Sequence, residues 1–111
     1  MTKYSVKPMS NIAQVGLDKL DDTACILDES TTSPDGILVR STKLSKGDIS
    51  DDLKAISRAG AGVNNIPVDV CTEMGVVVFN TPGANANAVK ELVLAGLMLS
   101  SRNVFDSIDF V

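Results

Sequence analysis

The chain has 111 residues, 44% of them hydrophobic, and a formal net charge of −4. A chain of this length folds around a single core and buries roughly 60–70% of its unfolded surface. Lys and Arg are scattered among more numerous Asp and Glu, so we expect no nucleic-acid partner. No apolar run approaches the ~20 residues of a membrane span, and the first residues lack the apolar core of a secretory signal. We therefore expect a cytoplasmic protein with no membrane partner.

Histidine is absent, and the two cysteines, Cys25 and Cys71, show no CxxC spacing. These residues provide no metal-ligand set, so no metal site is expected. Both cysteines lie in apolar surroundings, which favours reduced thiols in the core. Without an imidazole, a proton could be transferred only by Asp, Glu, Lys, Tyr or Cys, and none of these stands out as a catalytic residue.

The first third of the chain predicts a strand and then a helix. Residues 3–6 favour a strand that stops at Pro8. Apolar residues then recur at helical spacing over residues 11–20, with Asn11 or Ser10 as the N-cap.

Two short apolar runs, residues 24–27 and 36–39, are uninterrupted by polar residues. Such runs are typical of strands in a parallel sheet that is covered on both faces. Residues 28–35 between them have turn chemistry but no room for a crossover helix. Either a single helical turn makes the crossing, or the strand at 24–27 is peripheral.

The central part of the chain continues the alternation of strand and helix. Residues 53–58 predict a strand, residues 67–74 a short helix that ends at Gly75 in the left-handed conformation, and residues 76–79 another buried strand. The pattern as a whole predicts an α/β fold built on a parallel sheet.

A long helix is predicted from about Asn87 to Asn103, with Asn87 as its N-cap and Glu91 near the first turn. Its middle, residues 92–99, is apolar around the whole circumference. A helix of this kind needs cover on all sides. We expect that cover to come from another subunit or from more of the same polypeptide.

Polar residues follow three consecutive predicted strands: Arg40-Ser41, Arg58 with the turn Gly60-Ala61-Gly62, and Asn80-Thr81. Ligands of open parallel sheets bind outside the carboxyl ends of the strands. Glycines allow a sharp turn and leave N–H groups uncovered, and guanidinium groups bind carboxylate or phosphate. The set therefore predicts an anion site. The alternatives are that each arginine pairs with a surface acid and that the turn merely joins a strand to a helix.

The same turn begins like the dinucleotide fingerprint GxGxxG but ends in Asn65, and Phe79 and Asn80 stand where a ribose-binding acid would be expected. It does not predict a dinucleotide site.

The segments VRSTKL (residues 39–44), RAGAGVNNI (residues 58–66) and NTPG (residues 80–83) resemble the D-isomer-specific 2-hydroxyacid dehydrogenases, over most of residues 36–105. The resemblance implies a flavodoxin-like α/β sheet with helices on both faces. Residues 1–86 would be the N-terminal part of a substrate-binding domain, and residues 87–111 a long helix that begins the connection to a Rossmann NAD-binding domain. That domain, and the family's catalytic Arg, Glu and His, would lie beyond Val111, so we expect this chain alone to be inactive.

The resemblance also implies site residues. Arg40 and Ser41 match substrate-contacting positions, and Arg58 matches a cation that holds the acidic groups of the substrate. The backbone of the next five residues matches the loop that receives the carboxylate, and Ala61 matches a position that also touches NAD, the implied cofactor. The loop residues are Ala59, Gly60, Ala61, Gly62 and Val63.

The implied partners are a small phosphorylated hydroxy acid and further copies of the chain, which would meet through or near the apolar helix. Tight NAD binding by this chain is not expected. Asn64 stands where an Asp is common in the family, which argues against an acidic role at that position. Two other functions stay open: a stand-alone module that binds an acidic metabolite, and a reductase of another 2-oxo acid such as glyoxylate or hydroxypyruvate.

Overall fold

A computed structural model describes residues 2–110. Five parallel strands form one sheet in the order β2-β1-β3-β4-β5. The strands are β1 Tyr4–Pro8, β2 Cys25–Leu27, β3 Gly36–Val39, β4 Ala55–Arg58 and β5 Val77–Phe79. The helices of the described residues are α1 Gln14–Leu17, α2 Val68–Met74, α3 Ala86–Ser101 and α4 Val104–Phe110, with a 3-10 turn at Lys46–Asp48. The predicted α/β fold with a parallel sheet is confirmed.

The short connection from β2 to β3 follows from how the two strands are staggered. Both pair with Val6 of β1, β2 through its last residue, Leu27, and β3 through its first residue, Gly36. Because β3 starts at the level where β2 ends, the chain need not run back along the sheet. Residues 28–35 form turns without a helix, and β2 lies at the edge of the sheet. The peripheral strand is therefore the right alternative, and the helical crossing is wrong.

The core lies on one face of the sheet, the face of Ile37, Val39 and Ile56. Segments that follow β3 and β4 cover it with the buried side chains of Leu44, Ile49, Leu53, Ile66, Cys71 and Val76. Alternate residues of β5, Val77 and Phe79, lie on the opposite face and are 48% and 55% exposed. The prediction of a buried strand at residues 76–79 is thus wrong for this face of β5, and the expected cover on both faces is wrong for β2, where Ile26 and Leu27 are exposed within residues 2–110.

The first helix is shorter than predicted, since α1 has only four residues and Ala13 occupies the N-cap position. Neither Ser10 nor Asn11 caps it. The Ser10 hydroxyl instead accepts hydrogen bonds from the backbone N–H groups of Arg40 and Thr42. A long-range contact has therefore displaced the local cap that the sequence favours.

The later helices follow the prediction with shifted ends. Gly75 ends α2 at a φ of 72°, in the left-handed region as predicted. The N-cap position of α3 is occupied by Asn85 rather than Asn87, whose side chain donates a hydrogen bond to Glu91 at 3.0 Å inside the helix. Asn103, at a φ of 52°, separates α3 from α4, so the predicted helix ends at Ser101 rather than Asn103, and α4 is a further helix that was not predicted.

Helices α3 and α4 contact each other and present their apolar side chains to solvent. Leu92 is 74% exposed and Phe110 is 92% exposed. Across residues 2–110, none of the helices has the length and apolar character that a membrane crossing requires. Cys71 is buried as predicted, whereas Cys25 on the edge strand is only half-buried.

Candidate functional site

The carboxyl ends of β3, β4 and β5 meet at one edge of the sheet. Val39 pairs with Arg58, and the N–H of Ala59 donates to the carbonyl of Val39 at 2.8 Å. The N–H of Thr81 then donates to the carbonyl of Gly60 at 2.9 Å, which joins the segment after β5 to the glycine turn. The structure thus brings the three predicted strand ends together.

The guanidinium of Arg58 is the centre around which the glycine turn folds. Its Nε atom donates to the carbonyl of Arg40 at 2.8 Å, and its Nη1 atom donates to the carbonyl of Gly62. Nη1 also lies 3.5 Å from the side-chain oxygen of Asn64. The Arg58 side chain at the end of β4 therefore binds both the end of β3 and the loop that follows β4.

Gly60 and Gly62 are required by this close approach rather than by backbone conformation. A Cβ at position 62 would lie 3.0 Å from Nη1 of Arg58, and a Cβ at position 60 would lie 3.3 Å from its Nε. Within residues 2–110, positive φ among the glycines occurs at Gly75 and Gly83 only. The predicted sharp turn forms, but its glycines make room for the arginine.

The carbonyl oxygens of the turn are held by side chains and backbone from the neighbouring strand end. Asn80 Nδ2 donates to the carbonyl of Ala61 at 2.8 Å, and the backbone N–H of Thr81 donates to that of Gly60 at 2.9 Å. Because C=O and N–H point in opposite directions across a trans peptide, fixing the carbonyls of residues 60–62 turns the next N–H groups outward. The N–H groups of residues 60–63 meet no acceptor among residues 2–110. Successive free N–H groups in a turn can form a concavity that binds an anion.

Arg40 and Ser41 are exposed, and their side chains make no hydrogen bond within the described chain. Arg40 borders two clefts at this edge, of about 490 and 330 Å³. The larger is also lined by Asn11, Ile12, Ala13, Val15, Gly16 and Ala59, and the smaller by Ala59, Gly60, Thr81, Ala84 and Asn85.

The positive charges at this edge are not neutralised by neighbours. Between residues 2 and 110 the one ion pair joins Lys54 to Asp35 at 3.7 Å, at the start of β3 and β4. The alternative that Arg40 or Arg58 pairs with a surface acid is therefore wrong for the described residues. Two guanidinium groups without acidic partners stand at one edge of an acidic protein.

Sequence reasoning missed the end of β1, which also joins this edge. Ser10 lies two residues after Pro8, the last residue of β1, and this polar residue close after a strand was the available signal. Asn65 was missed as well, although its amide donates to the carbonyls of Arg40 at 3.2 Å and Thr42 at 2.9 Å.

Three groups outside this edge have displaced pKa values. Hydrogen bonds from the side chain and N–H of Thr23 lower the pKa of Asp21, and those of Ser30 do the same for Asp28. Burial raises the pKa of the Cys71 thiol. These groups flank β2 or lie on α2, so their shifts belong to local structure rather than to the site.

The family model described as D-isomer specific 2-hydroxyacid dehydrogenase, catalytic domain, matches residues 3–105. The chain belongs to this family. It is 39% identical over 79 residues to a D-3-phosphoglycerate dehydrogenase of Methanocaldococcus jannaschii, which covers 68% of this chain and 15% of that protein. It is 35% identical to the enzyme of the same name from Synechocystis sp., over 96% of this chain and 22% of that protein.

A hydroxypyruvate reductase of Thermotoga maritima is 46% identical over 69 residues, 60% of this chain and 22% of that protein. The chain thus spans less than a quarter of the length of these curated relatives.

Solved structures support the fold. An NAD+-bound 3-phosphoglycerate dehydrogenase of Entamoeba histolytica matches with a TM-score of 0.74 at 24% identity, over 88% of this chain and 39% of that one. A 2-hydroxyacid dehydrogenase from Ketogulonicigenium vulgare matches with a TM-score of 0.77 at 23% identity, over 96% and 38%. Both matches show the fold alone.

Ala61, the residue that the family resemblance assigns to NAD contact, lies in the turn after β4. The turn after β4 lacks the fingerprint, and no acid stands at the ribose position. Ala61 is exposed in the same turn as the N–H groups without acceptors, so it is accessible to a ligand.

Proposed function

We propose that the protein to which this chain belongs is an NAD-dependent dehydrogenase that oxidises D-3-phosphoglycerate to 3-phosphohydroxypyruvate in serine biosynthesis. This chain binds the acidic groups of the substrate. Residues 1–86 form the N-terminal part of the substrate domain, and residues 87–111 begin the connection to the NAD domain. The observation that carries the proposal is the set of N–H groups at residues 60–63, which have no acceptor within residues 2–110, at the same edge of the sheet as the unpaired charge of Arg40.

The division of roles follows from the hydrogen bonds. The N–H groups of the loop receive the carboxylate, as backbone donors in such a concavity do. Arg40 and Ser41 have unoccupied donors and contact the second acidic group. Arg58 holds the end of β3 through Nε and the loop through Nη1, which brings its positive charge into contact with the loop.

A phosphorylated hydroxy acid suits this edge because it carries two anionic groups. Arg40 is separated in sequence from the loop but adjacent to it in the sheet, since Val39 pairs with Arg58. A ligand with one anionic group would leave either Arg40 or the loop without a partner. The names of the curated relatives point the same way.

A second candidate is the reduction of another 2-oxo acid, hydroxypyruvate or glyoxylate. The hydroxypyruvate reductase relative has a higher identity than the phosphoglycerate dehydrogenases, over a shorter segment. The test is a comparison of kcat/KM for D-3-phosphoglycerate, hydroxypyruvate and glyoxylate in the natural full-length protein. A preference for D-3-phosphoglycerate that Arg40→Ala abolishes supports the first candidate, and a preference for an unphosphorylated acid supports the second.

A stand-alone module that binds an acidic metabolite is distinguished by its reading frame and by calorimetry. Continuation beyond Val111 into a strand, a GxGxxG turn and a later histidine supports the enzyme. For the 111-residue chain, we expect titration with D-3-phosphoglycerate to give measurable binding and titration with NAD to give little or none. Tight NAD binding would contradict the assignment of the cofactor site to other residues.

A further inference from the structure

The hydroxyl of Ser10, two residues after the end of β1, makes three hydrogen bonds to the segment that follows β3. Its oxygen accepts the backbone N–H of Arg40 at 3.0 Å and that of Thr42 at 3.3 Å. It also lies 2.9 Å from the hydroxyl of Thr42. A serine hydroxyl has one donor and two acceptor positions, so all of its hydrogen-bonding capacity is directed to this one turn.

The direction of the third bond is fixed by the neighbouring atoms. The Thr42 hydroxyl donates its only proton to the carbonyl of Met9. The bond between the two hydroxyls must therefore run from Ser10 to Thr42. Since Met9 N–H in turn donates to the carbonyl of Leu38 at 2.8 Å, the end of β1 and the end of β3 are joined in both directions.

We propose that Ser10 is a positioning residue of the anion site, which acts by holding the turn at residues 40–42. Arg40 stands at the centre of that turn's contacts: Ser10 holds its N–H, while Arg58 and Asn65 hold its carbonyl. With both backbone groups fixed, the exposed Arg40 side chain leaves the sheet from a defined point between the two clefts. Fixing a binding group before the ligand arrives lowers the ordering entropy that binding must overcome.

This proposal rests on the proposed function, since Arg40 must bind an acidic group of the substrate for its position to matter. The test is a double-mutant cycle in the natural full-length protein, with KM and kcat measured for D-3-phosphoglycerate. We expect Ser10→Ala to raise KM about tenfold and to change kcat by less than about twofold, because ground-state and transition-state binding weaken together. Ser10→Thr, which keeps a hydroxyl, should restore most of the wild-type KM.

The decisive measurement is Ser10→Ala in the background of Arg40→Ala. If Ser10 acts through Arg40, the second substitution adds less than about twofold to KM, since residues that share one function are not additive. Independent, multiplied effects would overturn the proposal, as would a wild-type KM for Ser10→Ala. A wild-type KM for Arg40→Ala would overturn both this proposal and the proposed function.

Two further variants serve as a control for the loss of a serine hydroxyl and as a substitute if Ser10→Ala is unstable. Ser30→Ala removes a serine hydroxyl whose bonds go to Asp28, in the connection between β2 and β3, and it should leave KM unchanged. Where Ser10→Ala lowers the midpoint of thermal unfolding too far, Thr42→Val removes the partner hydroxyl at nearly constant shape. We expect Thr42→Val to raise KM as Ser10→Ala does, and to add less than about twofold to KM in the Arg40→Ala background.

Discussion

Arg58 Nε donates a hydrogen bond to the carbonyl oxygen of Arg40 at 2.8 Å, so a side chain at the end of β4 fixes the backbone at the end of β3. The same guanidinium holds the carbonyl of Gly62 through Nη1. A fork of donors in fixed directions can serve two acceptors at once, whereas an ammonium acts as a single point charge. The geometry of Arg58, as well as its charge, is therefore expected to matter.

The first prediction separates charge from geometry at position 58. In the natural full-length protein, Arg58→Ala should lower kcat/KM for D-3-phosphoglycerate by about 100-fold, because a charge and two loop contacts are lost together. Arg58→Lys keeps the charge but cannot bridge both carbonyls, so its kcat/KM should exceed that of Arg58→Ala by less than about tenfold. Steady-state kinetics of the two variants make the comparison. Full recovery by lysine would mean that only the charge counts, and unchanged kinetics in alanine would remove Arg58 from the site.

The second prediction concerns the room that the glycine turn leaves for the guanidinium. Gly62→Ala would put a Cβ 3.0 Å from Nη1 of Arg58, so the side chain or the loop must move. We expect affinity for D-3-phosphoglycerate to fall about tenfold, measured by calorimetry. Gly47→Ala is the matched control, because its added Cβ would make an ordinary 3.7 Å contact with Ser45. Equal affinities in the two variants would contradict the proposed role of Gly62.

The third prediction uses Asn64, whose side-chain oxygen lies 3.5 Å from Arg58 Nη1. Asn64→Asp would place a carboxylate beside the guanidinium and offset the charge that attracts the substrate. Because the pair is exposed, we expect only about a fivefold loss of affinity at low salt, which shrinks as salt is added. Asn103→Asp changes the net charge equally but lies at the turn between α3 and α4, and it should bind as the wild type does. A loss of the same size in both variants would point to net charge alone.

The sequence predicted which strand ends lie together at the site, but not the hydrogen bonds that their residues make. The apolar run at residues 36–39 and the strand pattern at residues 53–58 predicted neighbouring parallel strands. Parallel strands bring their carboxyl ends to one edge, so the gathering of Arg40 and Arg58 followed from the pattern. The bonds made by those residues did not follow. Arg58 reaches a carbonyl 18 residues away, and Ser10 accepts an N–H from a residue 30 positions along the chain.

Local sequence patterns assign a residue a role within its own segment. For Ser10 that role was a helix cap, and for Gly60 and Gly62 it was a sharp turn. In the structure Ser10 makes a long-range contact instead of a cap, and the two glycines, in the turn that does form, also make room for the Arg58 side chain. No periodicity or motif spacing in the sequence indicates these contacts, because each one joins atoms that are brought together only in the folded sheet. The element types were therefore predictable, while the contacts that shape the site were not.

The fourth prediction concerns Cys71, which is 1% exposed in the core between α2 and the sheet. Burial raises the pKa of its thiol in the folded state. The unfolded chain then loses its proton first, so this group lowers stability as pH rises above about 8.5, the ordinary cysteine value. We expect urea denaturation to show a decline in the free energy of unfolding from pH 8 to pH 10 that is smaller in Cys71→Ala. An equal decline in both proteins would contradict this role of the buried thiol.

The last prediction tests the proposed self-association through the apolar helix. Val93 and Leu97 lie four residues apart on α3, hence on one face of it, and are 56% and 61% exposed. Burying such side chains against a second copy contributes about 1.5–3 kcal/mol for each one fully covered. We expect sedimentation equilibrium to give a dimer or larger species for the natural full-length protein. Val93→Gln combined with Leu97→Gln should shift it towards monomer, whereas Lys90→Gln on the same helix should not. A dimer with a micromolar Kd is almost fully formed when the protein concentration is about 100-fold above that Kd. A wild-type protein that is still monomeric at such a concentration would contradict the proposal.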